Sequence, residues 1–473
     1  MDRLSLFNTF KWVCDKVLTD YKWLIAIFFV LRLYGITDPP LEIQHNWRQC
    51  TGLMIARNFL VTSPNILYPR LDDLCSSSDI IAFEFQLLNY LHYLISLIFG
   101  YDHWYGRLIN LFISSAGVFS FGYLILKLFN SKIAWFSVLS LLVSNWFIFS
   151  RKMMPDTFSI SLVFISFYFA LMYFKNTKWQ NIILFFIFFT LGGLSKIPAI
   201  IYSALIICLY IMYRHKAILY LGLCTILSLF IVYIWYFVWG PFVSMKYGNW
   251  TNLGKPILTG FQDIVSNPLA TLYNITFNSF LSYMLFSLFI FGLTVLIKKK
   301  ERVLIFSLSL IFILFVLYIF KAGFFFYHHN YYMIPIVPLF AFIIGYGLND
   351  TKNKFILLIF FAGVLESIAN QQHDFRIKPS ELYKLELESK LDSIEKGGPK
   401  SPILINTESN PQQIYLANRK GCYITITEMA DINKINSFKS LGYRWLVIDK
   451  TYGYSSVNLS IIYADNNYII YRL

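Results

Sequence analysis

The chain has 473 residues, of which 57% are hydrophobic, 19% aromatic and only 14% charged. Globular domains carry about 25% charged residues, so this composition excludes a soluble enzyme, a nucleic-acid-binding domain and a disordered chain. A bilayer-spanning helix needs roughly 20 apolar residues, and about ten such stretches follow one another here. The chain reads as a polytopic α-helical membrane protein. The formal net charge of +14 sits largely in short loops between apolar runs: Lys127 and Lys132, Lys175 and Lys178, Arg214 and Lys216, 298–302, Lys352 and Lys354. That is the positive-inside pattern, which orients helices and says nothing about substrate.

In chain order, residues 1–16 carry scattered Arg and Lys among Leu6, Phe7, Phe10 and Trp12, the mark of an interfacial helix rather than a cleavable leader. The first span is expected at 21–36, leaving from the cytoplasm, and a large outward loop follows at 37–106. Within it, 83–100 looks like a span, yet Asn89, His92 and Ser96 share one face. If it crossed the membrane, every later basic cluster would fall outside. Read as an in-plane helix on the outer surface, it restores the charge rule. Further spans are expected at 107–126, 133–150, 157–174, 180–194, 198–213, 217–239, 274–297, 303–320, 332–348 and 355–370, about eleven in all. The segments 151–156, 240–273 and 321–331 then face outward.

From about 371 the charges become dense and the long apolar runs stop. A charged helix at 378–396 ends at Gly397-Gly398-Pro399. Short apolar runs at 402–405, 445–448, 460–463 and 468–471 read as strands, with helices near 412–417 and 430–441. The expected division is a transmembrane domain, 1–370, and a small extramembrane α/β domain, 371–473. Cys50 and Cys75 share one loop and are read as unpaired thiols, with a mutual disulfide as the alternative.

Acidic residues are expensive in a membrane protein, so their placement is informative. Asp38, Glu42, Asp72, Asp73, Asp79, Glu84 and Asp156 all fall in outward segments. Asp38 and Glu42 follow the first span, and Asp156 opens the fourth in Arg151-Lys152-Met153-Met154-Pro155-Asp156. One carboxylate can act as general base on an acceptor hydroxyl while another orients a substrate. Asp72, Asp73 and Asp79 are read as solvated loop acids. Outward cations run against the positive-inside bias: Arg48, Arg57, Arg70, Arg151, Lys152, Lys196 and Lys321. Such cations suit a phosphate leaving group. Beside Lys321 stand His328, His329, Tyr331 and Tyr332, which equally suit an interfacial anchor. Arg32, inside the first span, is read as a packing cation snorkelling outward, with a site role as the alternative. No metal motif and no nucleotide-binding glycine loop is present.

The run His45-Asn46-Trp47-Arg48-Gln49, with Ile55-Ala56-Arg57-Asn58-Phe59 and Ile66-Leu67-Tyr68-Pro69, resembles the first outward loop of bacterial family 39 glycosyltransferases. These GT-C-fold enzymes are related to protein O-mannosyltransferases and the lipid A aminoarabinose transferase. Phe83-Glu84-Phe85, Arg107, Ser150-Arg151 to Pro155-Asp156, Gly193-Leu194-Ser195-Lys196 and Tyr331-Tyr332 with Pro335 and Pro338 keep the family's order. The resemblance spans roughly 20–350, and Asn410-Pro411 to Tyr415 with Arg419-Lys420-Gly421 looks like the outer domain of one bacterial branch. Two departures stand out. Cys50-Thr51 follows Gln49 where many relatives have an acid two residues on, and Gln86 replaces a proline.

The resemblance implies a GT-C bundle that moves a sugar from a polyprenyl-phosphate donor to a glycan, lipid or protein acceptor at the periplasmic face of a bacterial inner membrane. The prenyl tail would stay among membrane lipids, and no nucleic acid is involved. Glu42, or failing it Asp38, would be the base, and Asp156 would orient a substrate. Arg48, Glu84, Arg151, Lys196, Lys321, His328, His329, Tyr331 and Tyr332 would bind the donor. No cofactor is implied if cations carry the phosphate charge, a divalent metal between carboxylates being the alternative. The rivals are a flippase of lipid-linked saccharides, a polysaccharide polymerase or ligase, and a non-catalytic scaffold. A transporter would show paired halves and mid-membrane ionisable groups, whereas the polar residues here gather in outward loops.

Overall fold

The computed structural model describes residues 20–73, 75, 78–213, 217–249, 254–454 and 457–473. The expected interfacial segment 1–16 and the Arg214/Lys216 loop lie outside the described residues. The chain is a mostly helical, multi-span membrane protein with a small C-terminal mixed sheet. It divides into two compact units. The first takes the chain up to Ile36, Gly106–Trp239 and Asn252–Phe375, and the second Thr37–Tyr105, Gly240–Thr251 and Arg376–Leu473. The segment expected as an outward loop thus groups with the C-terminal segment, which sequence order alone does not reveal.

The first unit is a helical bundle. Among the described residues, five helical runs are long and apolar enough to cross a membrane: Tyr105–Leu128, Pro155–Asn176, Ile218–Tyr247, Arg302–Ala322 and Lys354–Phe375. Shorter helices at Tyr21–Arg32, Ser131–Val143, Trp179–Ser195, Ala204–Tyr213, Tyr283–Lys298 and Val337–Leu348 also belong to this unit. Leu223, Ile226 and Phe230 are exposed, as lipid-facing side chains should be. Interhelical packing relies on small residues. A Cβ on Gly347 would lie 2.6 Å from Gly292 Cα, and one on Gly192 would lie 2.8 Å from the Ser159 carbonyl. Such close approach strengthens van der Waals contact where lipid removes the hydrophobic drive. At the start of helix Tyr283–Lys298, the Glu366 carboxylate accepts from the Ser282 hydroxyl and faces the backbone N–H groups of Tyr283 and Met284, both at 3.4 Å. A negative charge there meets the positive end of the helix dipole.

Several expected spans are interrupted. The one at 133–150 stops at Val143, because Ser144 Oγ donates to the Leu141 carbonyl (2.6 Å) and accepts from Trp146 N (3.2 Å). That side chain competes with the backbone for the ladder bonds. The one at 198–213 opens as a 3-10 turn, Ile197–Ser203, with Pro198 at its start. The segment 240–273, expected as an outward loop, contributes the helices Gly240–Tyr247, Ile257–Ser266 and Pro268–Thr276.

In the second unit, helix Asn46–Val61 packs on Leu87–Phe99 through Phe59 against Tyr90 (5.4 Å) and Tyr93 (6.2 Å). Helix Leu87–Phe99 has 13 residues, about 20 Å at 1.5 Å per residue. Its polar face is the buried one, with Asn89, His92 and Ser96 inward and Leu97, Ile98 and Phe99 exposed. That inversion suits a helix whose outer side meets lipid.

The C-terminal strands are β1 (Ile403–Ile405), β2 (Gly421–Tyr423), β3 (Trp445–Asp449), β4 (Ile461–Ala464) and β5 (Tyr468–Arg472), in the order β2-β1-β3-β5-β4. β1 is parallel to β2 and β3, while β5 is antiparallel to β3 and β4. Strand β2 was not expected, being three residues long and opening on Gly421. The expected helix 378–396 is a 3-10 segment, Pro379–Glu386, followed by Leu387–Glu395.

Two expectations about the loop are corrected here. Cys75 is bonded to Cys422, 347 residues away, while the buried Cys50 thiol points to the Pro40 carbonyl. Nor are the loop acids solvated. Asp72 pairs with Arg57 (2.8 Å) and Asn58 (2.9 Å), Asp73 accepts from Tyr423 (2.7 Å), and Asp79 pairs with Arg70 and Lys420. Asp73 and Asp79 thus fasten the loop to Tyr423 and Lys420 of the C-terminal segment, while Asp72 reaches it through its backbone carbonyl, which accepts from Gly421 N (2.8 Å).

Candidate functional site

Asp156 is the second residue of helix Pro155–Asn176, behind a proline whose missing N–H suits a first turn. The side chain is 3% exposed. Its Oδ1 accepts from the Lys196 ammonium, and Oδ2 has no hydrogen-bond partner among the described residues. Lys196 caps the C-terminus of Trp179–Ser195, where a cation is favoured by the dipole. Its Nζ lies 4.8 Å from the centre of the Tyr331 ring. Tyr331 stacks on Tyr332 (4.9 Å) and His329 (5.1 Å), and Tyr332 on Tyr318 (5.7 Å). Burial, with the charges of His328 and Lys196 adding, pushes the His329 imidazole below its ordinary range, so it is neutral at pH 7. Five expected residues, Asp156, Lys196, His329, Tyr331 and Tyr332, therefore form one assembly: a buried ion pair with one open carboxylate oxygen beside an aromatic platform. His328 instead packs on Phe324 at 4.1 Å and is exposed. Lys321 ends helix Arg302–Ala322, where its carbonyl accepts from Lys255 N (2.8 Å).

The loop that delivers Asp156 is held by Asn110, which the sequence reading missed, and by Arg32 and Arg151, which it named. Asn110, fully buried in helix Tyr105–Leu128, places its Nδ2 near the carbonyls of Phe149 (3.0 Å), Lys152 (2.8 Å) and Met154 (3.2 Å). Its Oδ1 accepts from Ser114 (2.8 Å) and Thr157 (3.2 Å). An amide inside an apolar span is costly unless so satisfied, and that cost was the available signal. Arg32 is a packing residue, as expected, but it does not snorkel. Wholly buried, it donates to Phe28 O (2.9 Å), Ser150 Oγ (2.5 Å) and Ser115 Oγ (3.2 Å). Arg151 returns the contact, donating to Arg32 O (3.0 Å) and Tyr34 O (2.7 Å) with its guanidinium over Phe375. Arg151 is 1% exposed, so this geometry ties the loop to the first helix.

The remaining expected residues belong to the second unit. Glu42 is 1% exposed, and its Oε2 accepts from Gln49 Nε2 at 2.7 Å. Asp38 is half-buried in the segment just before it. Arg48 pairs with Glu84 and lies 4.5 Å from the Phe83 ring centre. Gln86, standing where many relatives have proline, donates to the Glu84 carbonyl (2.5 Å) and accepts from Asn89 (2.5 Å), so it still shapes the turn. Among the described residues, no three His, Cys, Asp or Glu side chains are gathered where they would hold a metal ion.

Residues 86–236 match the dolichyl-phosphate-mannose-protein mannosyltransferase family. That segment includes Asn110, Arg151, Asp156 and Lys196. No curated protein matches the chain by sequence. Among solved structures, the chain is similar to ArnT from Cupriavidus metallidurans bound to undecaprenyl phosphate. Identity is 12% and the TM-score 0.63, covering 95% of this chain and 97% of ArnT. It is also similar to the Archaeoglobus fulgidus oligosaccharyltransferase in complex with zinc and sulfate, at 11% identity and a TM-score of 0.56, covering 89% of this chain and 68% of that one. The archaeal enzyme is known as well with a tethered acceptor peptide, at 12% identity and a TM-score of 0.56, covering 90% of this chain and 69% of that one. The chain thus carries a segment of the protein mannosyltransferase family at 86–236, within a fold shared with ArnT along nearly the whole length of both chains.

Proposed function

We propose that the enzyme transfers a sugar from a polyprenyl-phosphate donor to a glycan, lipid or protein acceptor at the periplasmic face of a bacterial inner membrane. In this reading about eleven spans cross the bilayer, with the N-terminus cytoplasmic and residues 371–473 periplasmic. Glu42 takes the proton of the acceptor hydroxyl, whose oxygen then bonds to the anomeric carbon. The bond from that carbon to the donor phosphate breaks, and its electron pair leaves with the phosphate. Asp156 orients the sugar through its open Oδ2, and Asp38 is the lesser carboxylate. Lys196, Lys321, Arg48 and His328 take up the phosphate charge, while Tyr331 and Tyr332 present flat faces to the sugar. A lipid donor fits this chain because ArnT, which shares its fold, binds undecaprenyl phosphate. The observation that carries the reading is the buried Asp156–Lys196 pair with one oxygen open beside the aromatic platform.

The test is transfer by purified enzyme from a polyprenyl-phosphate sugar. Glu42→Gln keeps the shape but cannot accept the proton, and general-base assistance is worth about 10²–10⁴-fold. That variant should bind donor normally and lose turnover. Asp156→Asn should impair transfer with weakened substrate binding, and Asp38→Asn should be milder. Alanine at Lys196, Lys321 or Arg48 should weaken donor binding about tenfold or more at the true ligands. Normal turnover in all three carboxylate variants would remove carboxylate catalysis.

A further inference from the structure

In open α/β sheets, ligands bind at the carboxyl ends of parallel strands where the strand order reverses. Here that position is the end of β1 and β3, and the chain itself fills it. Asn406, directly after β1, donates to the carbonyls of Asp449 (2.9 Å) and Gly453 (2.8 Å). The Asp449 carboxylate, at the end of β3, accepts from Tyr383 (2.6 Å), Gln413 and the backbone and hydroxyl of Thr451 (2.8 and 2.6 Å). Asp449 and Gln413 are fully buried and Asn406 is 4% exposed, so the chain's own side chains occupy this end of the sheet. Tyr383 comes from the 3-10 segment Pro379–Glu386, which closes the crevice like a plug.

The plug and the neighbouring helix also grip the first outward loop. Gln412 is 0% exposed, and its Nε2 donates to the Pro40 carbonyl at 3.2 Å. Its Oε1 accepts from Lys384 Nζ (3.2 Å) and Asn410 Nδ2 (3.1 Å). Lys384, 3% exposed, is held by Glu381 at 3.0 Å, which also takes Lys378 at 3.0 Å. The Lys378 backbone N–H donates to the Leu41 carbonyl (3.2 Å), and Ile377 forms an antiparallel bridge with Glu42. Pro40, Leu41 and Glu42 are thus each fixed by the C-terminal segment. An ammonium on the amide oxygen polarises Gln412 and strengthens its donation to Pro40.

We infer that the C-terminal domain is a positioning device for the Glu42 carboxylate, with Gln412 as the positioning residue and Lys384 as its support. This rests on the reading of Glu42 as the base. A displacement of about 1 Å at a reacting group can cost roughly 10²-fold in rate. A sheet that has closed its own ligand crevice is free to serve as a rigid anvil for a loop.

The experiment uses full-length enzyme in lipid nanodiscs, a polyprenyl-phosphate sugar and a pH-rate profile. Gln412→Leu should lower kcat by roughly 10–100-fold with donor KM unchanged, and should shift the acid limb of the profile, which reports the base. Lys384→Met should act in the same direction but less, and it decides the matter if Gln412→Leu does not fold. Gln413→Leu removes an Asp449 contact one residue away without touching Pro40–Glu42, and should leave the acid limb in place. A Gln413→Leu enzyme with the same shift, or Gln412→Leu and Lys384→Met enzymes with normal kcat and normal profile, would overturn the inference. Glu42→Gln with normal turnover would instead sink the base reading, so the two failures are distinguishable.

Discussion

Removing Lys196 should damage the protein more than removing its partner as well. Asp156 is 3% exposed and Lys196 20% exposed, so the carboxylate is the buried member of the pair. Breaking a buried pair from one side costs about 3–5 kcal/mol, because an uncompensated charge stays behind. Three corrections apply. Partial exposure of Lys196 moves the figure to the lower end, and the helix N-terminus returns about 0.5–1 kcal/mol to the stranded Asp156. Loss of the ammonium from the Tyr331 face adds back about 0.5–1 kcal/mol. Lys196→Met should therefore destabilise by about 3 kcal/mol. The double variant Lys196→Met/Asp156→Leu, with no charge left, should lie within about 1 kcal/mol of the parent. A kilocalorie moves the midpoint about 2–4 °C in a 150–250-residue protein and less in a longer one. Thermal unfolding in detergent, followed by circular dichroism, should show the single variant several degrees below both parent and double variant. Neither variant should transfer sugar. A single variant as stable as the parent, or a double variant no better than the single, would refute the buried-pair reasoning.

Asn110→Leu removes the side chain that gathers the Phe149, Lys152 and Met154 carbonyls, and should cost about 2–4 kcal/mol through unsatisfied groups. Its transfer rate should fall more than that of Ser114→Ala, which takes away one bond; equal rates would deny Asn110 its hold on the loop. His92 is buried against Tyr101, and burial pushes its imidazole down to about 4. The unfolded chain then binds the extra proton between about pH 6.5 and 4, so stability is full above that window and falls as pH drops through it. The loss should reach about 3 kcal/mol by pH 4, and His92→Phe should flatten that part of the stability–pH curve. Asn466→Cys, in the exposed turn between β4 and β5, should react with an impermeant thiol reagent added from the periplasm. Labelling only after lysis would reverse the orientation.

Hydropathy located most of the helices because burial and lipid contact both demand apolar runs. It could not place their interruptions. Ser144 ends a helix through a bond that a span rich in apolar residues conceals, and Ile197–Ser203 tightens to a 3-10 turn behind one proline. The polar face of Leu87–Phe99 was visible as a period, but its direction was not, since a moment does not say which side meets protein. Asp156 and Lys196 were both legible as oddities of charge, whereas their pairing, 40 residues apart, needed the bundle. Pairing of Glu42 with Ile377 and of Cys75 with Cys422 lay further from reach. Contacts across more than three hundred residues leave no local period, cap or spacing to read.

The Cys75–Cys422 bond has a consequence for biosynthesis. Position 75 emerges from the ribosome well before position 422, with most of the membrane bundle made between them. The loop's half of the second unit must therefore wait, its acids and thiol without their final partners, while helix after helix is inserted. A ribosome that stalls anywhere in the bundle leaves Cys75 reactive. Only a chain made as far as Cys422, in an oxidising environment, can silence that thiol through this bond. The disulfide thus separates chains that carry both halves of the second unit from those that stop within the bundle, by one reactive sulfur.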